Sequence, residues 1–353
     1  MAADPPLLSI LLPTHNRADV LPFAIRSVLA QTVADFELLI VGDGCTDGTA
    51  EVVASFLAVD PRIRWFDLPK APSFGYANRN VALRAARGEM IGFVAHDDII
   101  STDHFELLLA ELENPGVHLV HGGSAWIGSE GNIVPTVFHL NDAAMLGEFL
   151  AKRWNRVPAT AFVHRRAVFD RVGYWNETLP SGADMDFWGR IIQAHGVNSL
   201  RVVDTVTTFH FRAVWRTQDQ QAPDNEPLWK ILHHQPGRLD PALKIAIQPG
   251  ETEQAAFWTT ITEHKDAVLS IRHALSLALQ SFAWELELRV GAQRIDSGAV
   301  DSLTTLHAKL KQQRNQTKRL RKKLDEVLAE LAACKSTRST PRKPFWRRLW
   351  SKG

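Results

Sequence analysis

Short apolar blocks alternate with longer amphipathic blocks along the first hundred residues of the chain. Four apolar blocks have the length of buried strands, and three blocks between them place apolar residues at helical spacing. The predicted strands are residues 7–12, 36–41, 63–66 and 90–95, and the predicted helices are residues 20–31, 49–57 and 78–86. Strands separated by such helices predict parallel βαβ units, and therefore an α/β fold with a Rossmann-like, mostly parallel central sheet.

Polar residues follow three of these predicted strands. Thr14 and Arg17 follow the first strand, Asp43 follows the second, and the neighbouring carboxylates Asp97 and Asp98 follow the fourth. Parallel sheets of this kind bind ligands in a crevice at the carboxyl ends of their strands, so we expect these side chains to converge there. Adjacent buried carboxylates repel each other, and the pair therefore needs a cation or hydrogen-bond donors beside it.

The alternation continues less regularly beyond the first hundred residues. We predict strands at residues 118–127, 132–138 and 159–164, and a helix at residues 184–195. Residues 236–300 form a C-terminal α/β extension, with helical patches over residues 265–280 and a strand at residues 284–290. The sequence of this extension does not indicate a role.

Residues 301–335 repeat apolar side chains at spacings of three and four, which is the pattern of a heptad seam. The pattern predicts a coiled-coil helix through which the chain forms a homo-oligomer. The alternative is a single basic amphipathic helix that lies on the domain.

Residues 336–353 form a tail in which the stretch "RKPFWRRLW" interleaves aromatic rings with cations. The whole chain has a formal net charge of +1, but residues 309–352 contain fifteen Lys and Arg and three acidic residues, so the remainder is acidic. Rings and cations together suit an anionic membrane surface, and a disordered soluble tail is the alternative. No nucleic-acid-binding signature accompanies the charge, and we expect no nucleic-acid partner.

The composition is that of an ordinary globular protein, with 45% hydrophobic and 22% charged residues in 353. Two cysteines are too few for a disulfide framework and fit a reducing compartment. The first apolar run is not preceded by a basic residue, and no run of about 18 apolar residues occurs. We therefore expect a cytoplasmic location, at the inner face of the cell membrane if the tail binds lipid.

Four stretches in register resemble family 2 glycosyltransferases, which have the GT-A nucleotide-sugar-binding fold. They are "LLSILLPTHNRADVLPFAIRSVLAQTVADFELLIVGDGCTDGT", "ANRNVALRAARGEMIGFVAHDD", "RVGYWNETL" and "SGADMDFWGRI". The resemblance covers residues 7–212, and we expect the GT-A domain to span residues 1–235.

The resemblance implies a metal site at the acid pair. By similarity, Asp98 binds Mn²⁺ or Mg²⁺, and Asp97 bonds the ribose or the metal through water. A divalent cation bridges a nucleoside diphosphate to carboxylate oxygens, which removes the repulsion within the pair. His210 matches a late histidine near the metal in some family members. The alternatives are helix capping for the pair and a structural role for the histidine.

The resemblance also implies contacts to the nucleotide. Asp43 matches an acid that contacts the nucleoside, although Gly42 replaces the acid that usually precedes it, which puts the choice of nucleotide in doubt. Thr14 and Arg17 belong to the first nucleotide-contact loop, and Arg79 matches a position near the phosphates or the base. A solvated helix arginine is the alternative for Arg79.

Catalysis in this family is inverting, by attack of an acceptor hydroxyl on the anomeric carbon of the sugar. The hydroxyl must lose its proton, and Asp184 matches the general base that accepts it. Ala183 replaces the glutamate that usually precedes this base, and Asp186 is expected to support the helix N-terminus. Trp175 lies in the acceptor-side loop, where its ring would either stack on a sugar or pack in the core.

The expected function is transfer of a sugar from a nucleotide-diphosphate donor, with a UDP-sugar as the first candidate, to a glycan or lipid-linked acceptor. The resemblance suggests a role in surface-polysaccharide biosynthesis. The alternative is a catalytically inactive GT-A-like scaffold that binds glycans or partners and assembles through its coiled coil. Gly42 and Ala183 are the two departures that favour this alternative.

Overall fold

Four parallel strands from the first hundred residues form one half of a central sheet in the computed structural model of the protein. The model describes residues 4–128, 130–136, 139–152, 157–211 and 240–280. The four strands are β1 (Leu8–Thr14), β2 (Phe36–Asp43), β3 (Ile63–Leu68) and β4 (Met90–Phe93). Their order across the sheet is β3-β2-β1-β4, and each neighbouring pair is parallel, as the sequence predicts.

The other half of the sheet is mixed. It is built from β5 (Ile99–Ile100), β6 (Leu119–Ile127), β7 (Ile133–Pro135), β8 (Phe162–Arg165) and β9 (Leu200–Phe211). The sheet continues from β4 in the order β8-β6-β9-β5, with β7 paired to β6. β6 and β9 are parallel, whereas β8 is antiparallel to both of its neighbours. The α/β class is confirmed, with parallel pairing concentrated in the N-terminal half.

Helices cover both faces of the sheet. On one face, α1 (Leu21–Leu29), α2 (Thr49–Leu57) and α4 (His104–Glu111) pack on residues such as Leu38 and Ile40 of β2. On the other face, α3 (Tyr76–Arg84), α5 (Ala143–Leu150), α6 (Val168–Val172) and α7 (Ala183–His195) pack on Leu39 and Val41. Because successive strand residues point to opposite faces, residues 38–41 of β2 present apolar side chains on both sides, as is usual for a buried parallel strand.

A third apolar cluster joins residues 240–280 to the mixed half of the sheet. Helix α8 (Glu253–Glu263) buries Phe257, whose ring centroid lies 4.6 Å from that of Phe209 on β9. The chain is helical again over residues 267–280, and Ile271 and Leu275 belong to the same cluster. This segment lies within the compact unit that the structure assigns to residues 1–282.

Most predicted elements appear within a few residues of their expected bounds, including α7 at residues 183–195. The predicted strand at residues 159–164 begins instead with a 3₁₀ turn, Ala159–Ala161, and continues as β8. The strands β5 and β9 and the helices α4, α5, α6 and α8 were not predicted. The predicted strand at residues 284–290, the coiled coil at residues 301–335 and the tail at residues 336–353 lie outside the described residues. None of the helices within the described ranges has the length and apolar character needed to cross a bilayer.

Candidate active site

The acid pair occupies a turn between β4 and β5. The backbone N–H of Asp98 donates to the carbonyl of Ala95 at 3.1 Å, which closes the turn around His96 and Asp97. Asp97 is 3% exposed and Asp98 is 0% exposed. Both carboxylates therefore point inward, and their burial requires compensating groups.

Two side chains from distant parts of the sequence hold the Asp98 carboxylate. His210 on β9 places its Nδ1 2.7 Å from Asp98 Oδ1, and the hydroxyl of Thr160 donates to Asp98 Oδ2. Thr160 also accepts a hydrogen bond of 3.0 Å from the backbone N–H of Ala95. Each carboxylate oxygen of Asp98 thus has a hydrogen-bond partner in the protein. Thr160, just before β8, and His210, on β9, connect the turn to these two strands.

Asp97 is surrounded by groups of both charges. The His96 ring lies 3.9 Å from Asp97 Oδ1. Burial lowers the pKa of His96, the charge of Asp97 opposes this shift, and the positive charges of Arg17 and Arg79 add to it. Asp97 and the two arginines are therefore all close enough to His96 to act on its pKa.

Asp43 lies at the end of β2 in a set of hydrogen-bond donors. Its Oδ1 accepts from the Asn78 amide at 2.7 Å and from the Ala71 backbone N–H at 2.8 Å, and its Oδ2 pairs with Lys70. Gly75 adopts φ 71°, and a Cβ at this position would lie 2.6 Å from Asp43 Oδ2. The carboxylate is fixed by neighbours that leave it no space to move towards Gly75.

The loop after β1 contributes Thr14 and Arg17. Thr14 is 2% exposed, and the Arg17 backbone N–H donates to the Thr49 hydroxyl at 3.1 Å. His15 ties the same loop to β2, because its Nδ1 lies 2.7 Å from the Asp43 carbonyl oxygen. These contacts place the predicted first nucleotide loop beside Asp43.

Arg79 on α3 is the cation that faces these acids. Its guanidinium lies over the rings of Tyr76 and Trp175, 5.3 Å and 5.1 Å from their centroids. Its buried Nε has no hydrogen-bond partner among the described residues. Burial lowers the pKa of Arg79, and the charges of Tyr76, Asp184 and Asp43 oppose that shift. The guanidinium is therefore partly shielded from water, lies near two acids and can still donate a hydrogen bond through Nε.

The two acids in the first turn of α7 have different surroundings. Asp186 is buried and accepts hydrogen bonds from Lys152 and, at 2.8 Å, from Arg190 Nε. Desolvation raises the pKa of Asp186, but these two cations outweigh it and hold the pKa below its ordinary value. Asp184 is partly exposed and lies close enough to Tyr76 and Arg79 to affect the pKa values of both. Asp186 is a structural anion, whereas Asp184 faces Arg79.

Trp175 is 3% exposed and belongs to the core on the α7 face of the sheet. Its ring centroid lies 5.6 Å from that of Phe93, and its backbone N–H donates to Asn80 Oδ1 at 3.1 Å. This packing favours the core alternative for Trp175. The Trp175 ring packs against the Arg79 guanidinium. Contact of Trp175 with an acceptor stays a prediction.

The donor set at the acid pair fits a hard divalent cation that also takes ligands from a substrate. Within the described ranges, no group of three or more His, Cys, Asp or Glu side chains is arranged to hold a metal ion. Asp97 and Asp98 supply carboxylate oxygens, which Mg²⁺ and Mn²⁺ favour, and phosphate oxygens and water usually complete such a shell. His210 already bonds Asp98 through Nδ1, and its role as a metal ligand stays a prediction.

Several residues that shape the site were not predicted from the sequence. Thr160, Lys70 and Asn78 hold the acids, and Gln254 on α8 donates to the backbone carbonyl of Asp97 at 3.2 Å. Asn78 stands in the quoted stretch "ANRNVAL", which gave the only sequence signal for any of them. The others become visible only when the chain is folded.

Comparison with known proteins supports the same class of protein. Residues 9–178 match the model of glycosyl transferase family 2. The match covers just under half of the chain, and the resemblance predicted from the sequence is confirmed.

Three similar proteins illustrate the range of the likeness. An uncharacterized glycosyltransferase of Haemophilus influenzae is 33% identical over 134 residues, which cover 37% of this chain and 52% of the relative. The chondroitin synthase of Pasteurella multocida is 25% identical over 244 residues, which cover 62% of this chain and 24% of the relative. The structure of S. aureus TarS 1-349 in complex with UDP-GlcNAc is 21% identical, with a TM-score of 0.48 over 58% of each chain. The chain thus spans about half or less of the curated relatives that it matches.

Proposed function

We propose that the chain is an inverting glycosyltransferase that moves a sugar from a nucleotide-diphosphate donor to an acceptor hydroxyl. The observation that carries the proposal is the position of Arg79. Arg79 is partly buried, its Nε has no hydrogen-bond partner among the described residues, and the charges of Asp43 and Asp184 act on the guanidinium. A phosphate group is the ligand that such a cation suits best, because a guanidinium presents several donors to phosphate oxygens.

Each acid has a separate task in this proposal. Asp43 receives the nucleoside, with Thr14 and Arg17 beside it, and Arg79 binds the phosphates. Asp97 and Asp98 would hold Mn²⁺ or Mg²⁺, which would neutralise negative charge on the nucleoside diphosphate leaving group. Thr160 and His210 hold the Asp98 carboxylate in place, so the carboxylate at the end of the turn is already oriented for the cation.

Asp184 is proposed as the general base. Its partial exposure and its place at the N-terminal end of α7 allow an acceptor hydroxyl to approach it. As the hydroxyl oxygen attacks the anomeric carbon, its proton passes to the Asp184 carboxylate and the bond to the donor phosphate breaks. Attack from the face opposite the leaving group inverts the configuration.

The test compares two acids of the same helical turn. Donor turnover is measured with a panel of nucleotide sugars in the presence of Mn²⁺. We expect Asp184→Asn to lower turnover by about 100- to 10,000-fold, the usual contribution of a general base, with little change in thermal stability. Asp186→Asn should retain turnover and lose stability, because Lys152 and Arg190 lose their buried anion. Full turnover of Asp184→Asn would exclude it as the base.

The identity of the acceptor is also a proposal. The chondroitin synthase relative supports a polysaccharide acceptor, and a lipid-linked glycan is the second candidate.

We also propose a domain organisation. It consists of a GT-A domain at residues 1–235, an extension at residues 236–300, a coiled coil at residues 301–335 and a membrane-binding tail at residues 336–353. Deletion of residues 301–353 should convert an oligomer to a monomer in light scattering and abolish binding to anionic liposomes. An unchanged mass would refute the coiled coil, and retained liposome binding would refute the tail.

A further inference from the structure

Helix α8 contacts the acid pair through Gln254. This residue lies well beyond residues 9–178, which match the family model. Gln254 is 4% exposed, and its Nε2 lies 3.2 Å from the backbone carbonyl oxygen of Asp97. The first turn of α8 is itself fixed, because the Thr252 side chain accepts from the Ala255 backbone N–H. The hydrogen bond from this buried amide restrains the peptide group that follows the Asp97 side chain.

A second contact from the same segment fixes the chain on the far side of β5. The Arg272 guanidinium makes two hydrogen bonds of 2.7 Å to the carboxylate of Asp103, one of 2.8 Å to the Ser101 hydroxyl and one of 2.7 Å to the Val206 carbonyl. Desolvation raises the pKa of Asp103, but the bonds from Arg272 and Ser101 outweigh it and lower the pKa. The segment therefore restrains the chain both before and after β5.

Strand β9 contacts both α8 and Asp98. Phe209 and Phe211 face the ring of Phe257 on α8, with centroids 4.6 Å and 5.7 Å away. His210 lies between them in the strand, so its side chain points to the opposite face, where it bonds Asp98. Phe209 and Phe211, which pack on α8, thus alternate along β9 with His210, which bonds Asp98.

We infer that Gln254 is a positioning residue of the acid pair and that residues 253–275 are part of the catalytic unit. This inference rests on the proposed function and deepens it, because the segment lies beyond residues 9–178, which the family model matches. Gln254 acts on the Asp97 peptide and does not touch the substrate. Its loss leaves the carboxylate less constrained and the metal-bridged nucleotide more weakly bound.

The test replaces the Gln254 amide with an apolar side chain of similar length. Binding of Mn²⁺ together with UDP is measured by calorimetry on the full chain, and the Mn²⁺ concentration for half-maximal turnover is measured in parallel. We expect Gln254→Met to weaken Mn²⁺-dependent binding and raise the half-activating concentration by about 5- to 30-fold, the usual effect of one lost buried hydrogen bond. Turnover at saturating Mn²⁺ should stay within about threefold.

Two further variants separate positioning from general stability. Gln248→Met is the matched control, because Gln248 is an exposed glutamine just before α8, and this variant should bind Mn²⁺ and UDP as the unchanged chain does. Gln254→Asn retains an amide that is too short for the contact, and it should show the same weakening if Gln254→Met does not fold.

The outcomes distinguish the inference from the function on which it rests. Unchanged Mn²⁺ affinity in Gln254→Met and Gln254→Asn, with normal binding by the unchanged chain, would overturn the positioning role alone. Equal loss of affinity and turnover in Gln248→Met would overturn it as well, since the effect would then be unspecific. If the unchanged chain binds neither Mn²⁺ nor UDP, the proposed function and the inference both fail.

Discussion

Gly42 occupies a position at which a side chain would overlap the Trp65 indole on the neighbouring strand. This contact explains in steric terms why the chain has no acid where family members usually have one. The indole fills the space on the α2 face of β2, whereas Asp43 points to the opposite face. The departure at Gly42 therefore leaves the surroundings of Asp43 intact.

Gly75 provides a prediction at the same scale, since it combines a left-handed backbone with a close approach to Asp43. Gly75→Ala should lower the free energy of unfolding by about 1–2 kcal/mol through the positive φ, and it should also displace the Asp43 carboxylate. We expect nucleotide affinity, measured by calorimetry with UDP and Mn²⁺, to fall at least about tenfold.

Gly250 is the matched control for this change. It has φ 84°, but apart from its chain neighbours no atom of the described residues lies within 4 Å of its added Cβ. Gly250→Ala should therefore lose comparable stability and keep its affinity for UDP. Equal affinities in the two variants would contradict the role of Gly75 in holding Asp43.

At the scale of elements, the sequence predicts best where one strand is apolar on both faces. β1, β2 and β4 largely follow this rule, and the polar residues at their ends were identified from their positions after predicted strands. β9 escaped prediction because its polar and apolar residues are mixed in "LRVVDTVTTFHF", and its pairing with β6 depends on chain more than seventy residues away. α8 escaped because its buried Gln254 breaks the apolar stripe.

The sequence also could not predict the partners of the acids. Thr160 and Asp98 are 62 residues apart, and Gln254 and Asp97 are 157 apart. Contacts at such separations arise from the order of strands in the sheet, which local pattern does not encode. The acids themselves were found because each follows a strand, whereas the groups that neutralise them were visible only in the fold.

Phe257 gives a prediction for α8 as an element. Its side chain is fully buried between β9 and the helical residues 267–280. Phe257→Ala should lower the free energy of unfolding by about 3–5 kcal/mol because it leaves a cavity, and chemical denaturation followed by near-UV circular dichroism measures the change. Phe74→Ala is the control, because Phe74 is 58% exposed and should change stability by less than about 0.5 kcal/mol. A loss below about 1 kcal/mol in Phe257→Ala would show that α8 does not pack on β9 as described.

At the scale of the whole molecule, three buried histidines couple folding to pH. Burial lowers the pKa of His104 to about 3 and the pKa values of His121 and His164 to about 4. The unfolded chain takes up a proton at each of them below their ordinary pKa of about 6.5, whereas the folded chain does not. The folded state is therefore favoured above that pH and loses its advantage as the pH falls towards 4.

We expect the free energy of unfolding to decrease below pH 6.5, by up to about 1.4 kcal/mol per pH unit for each of the three histidines. Urea unfolding at pH 7.5, 6.5 and 5.5 measures this slope. His104→Gln, which cannot take up a proton in this range, should reduce the slope. A free energy of unfolding that stays constant from pH 7.5 to 5.5 would contradict the burial of these rings.

We propose that a divalent cation and a nucleotide bind beside Asp97 and Asp98 and offset the repulsion between these two buried carboxylates. Calorimetric titration of UDP with Mn²⁺ or with a chelator, for the unchanged chain, Asp97→Asn and Asp170→Asn, tests it most directly. Asp170 is an exposed acid on α6 and serves as the control. We expect Mn²⁺ to strengthen UDP binding at least about tenfold in the unchanged chain and in Asp170→Asn, and we expect Asp97→Asn to abolish the gain. Equal UDP affinity with and without Mn²⁺ in the unchanged chain, or a full gain in Asp97→Asn, would contradict it.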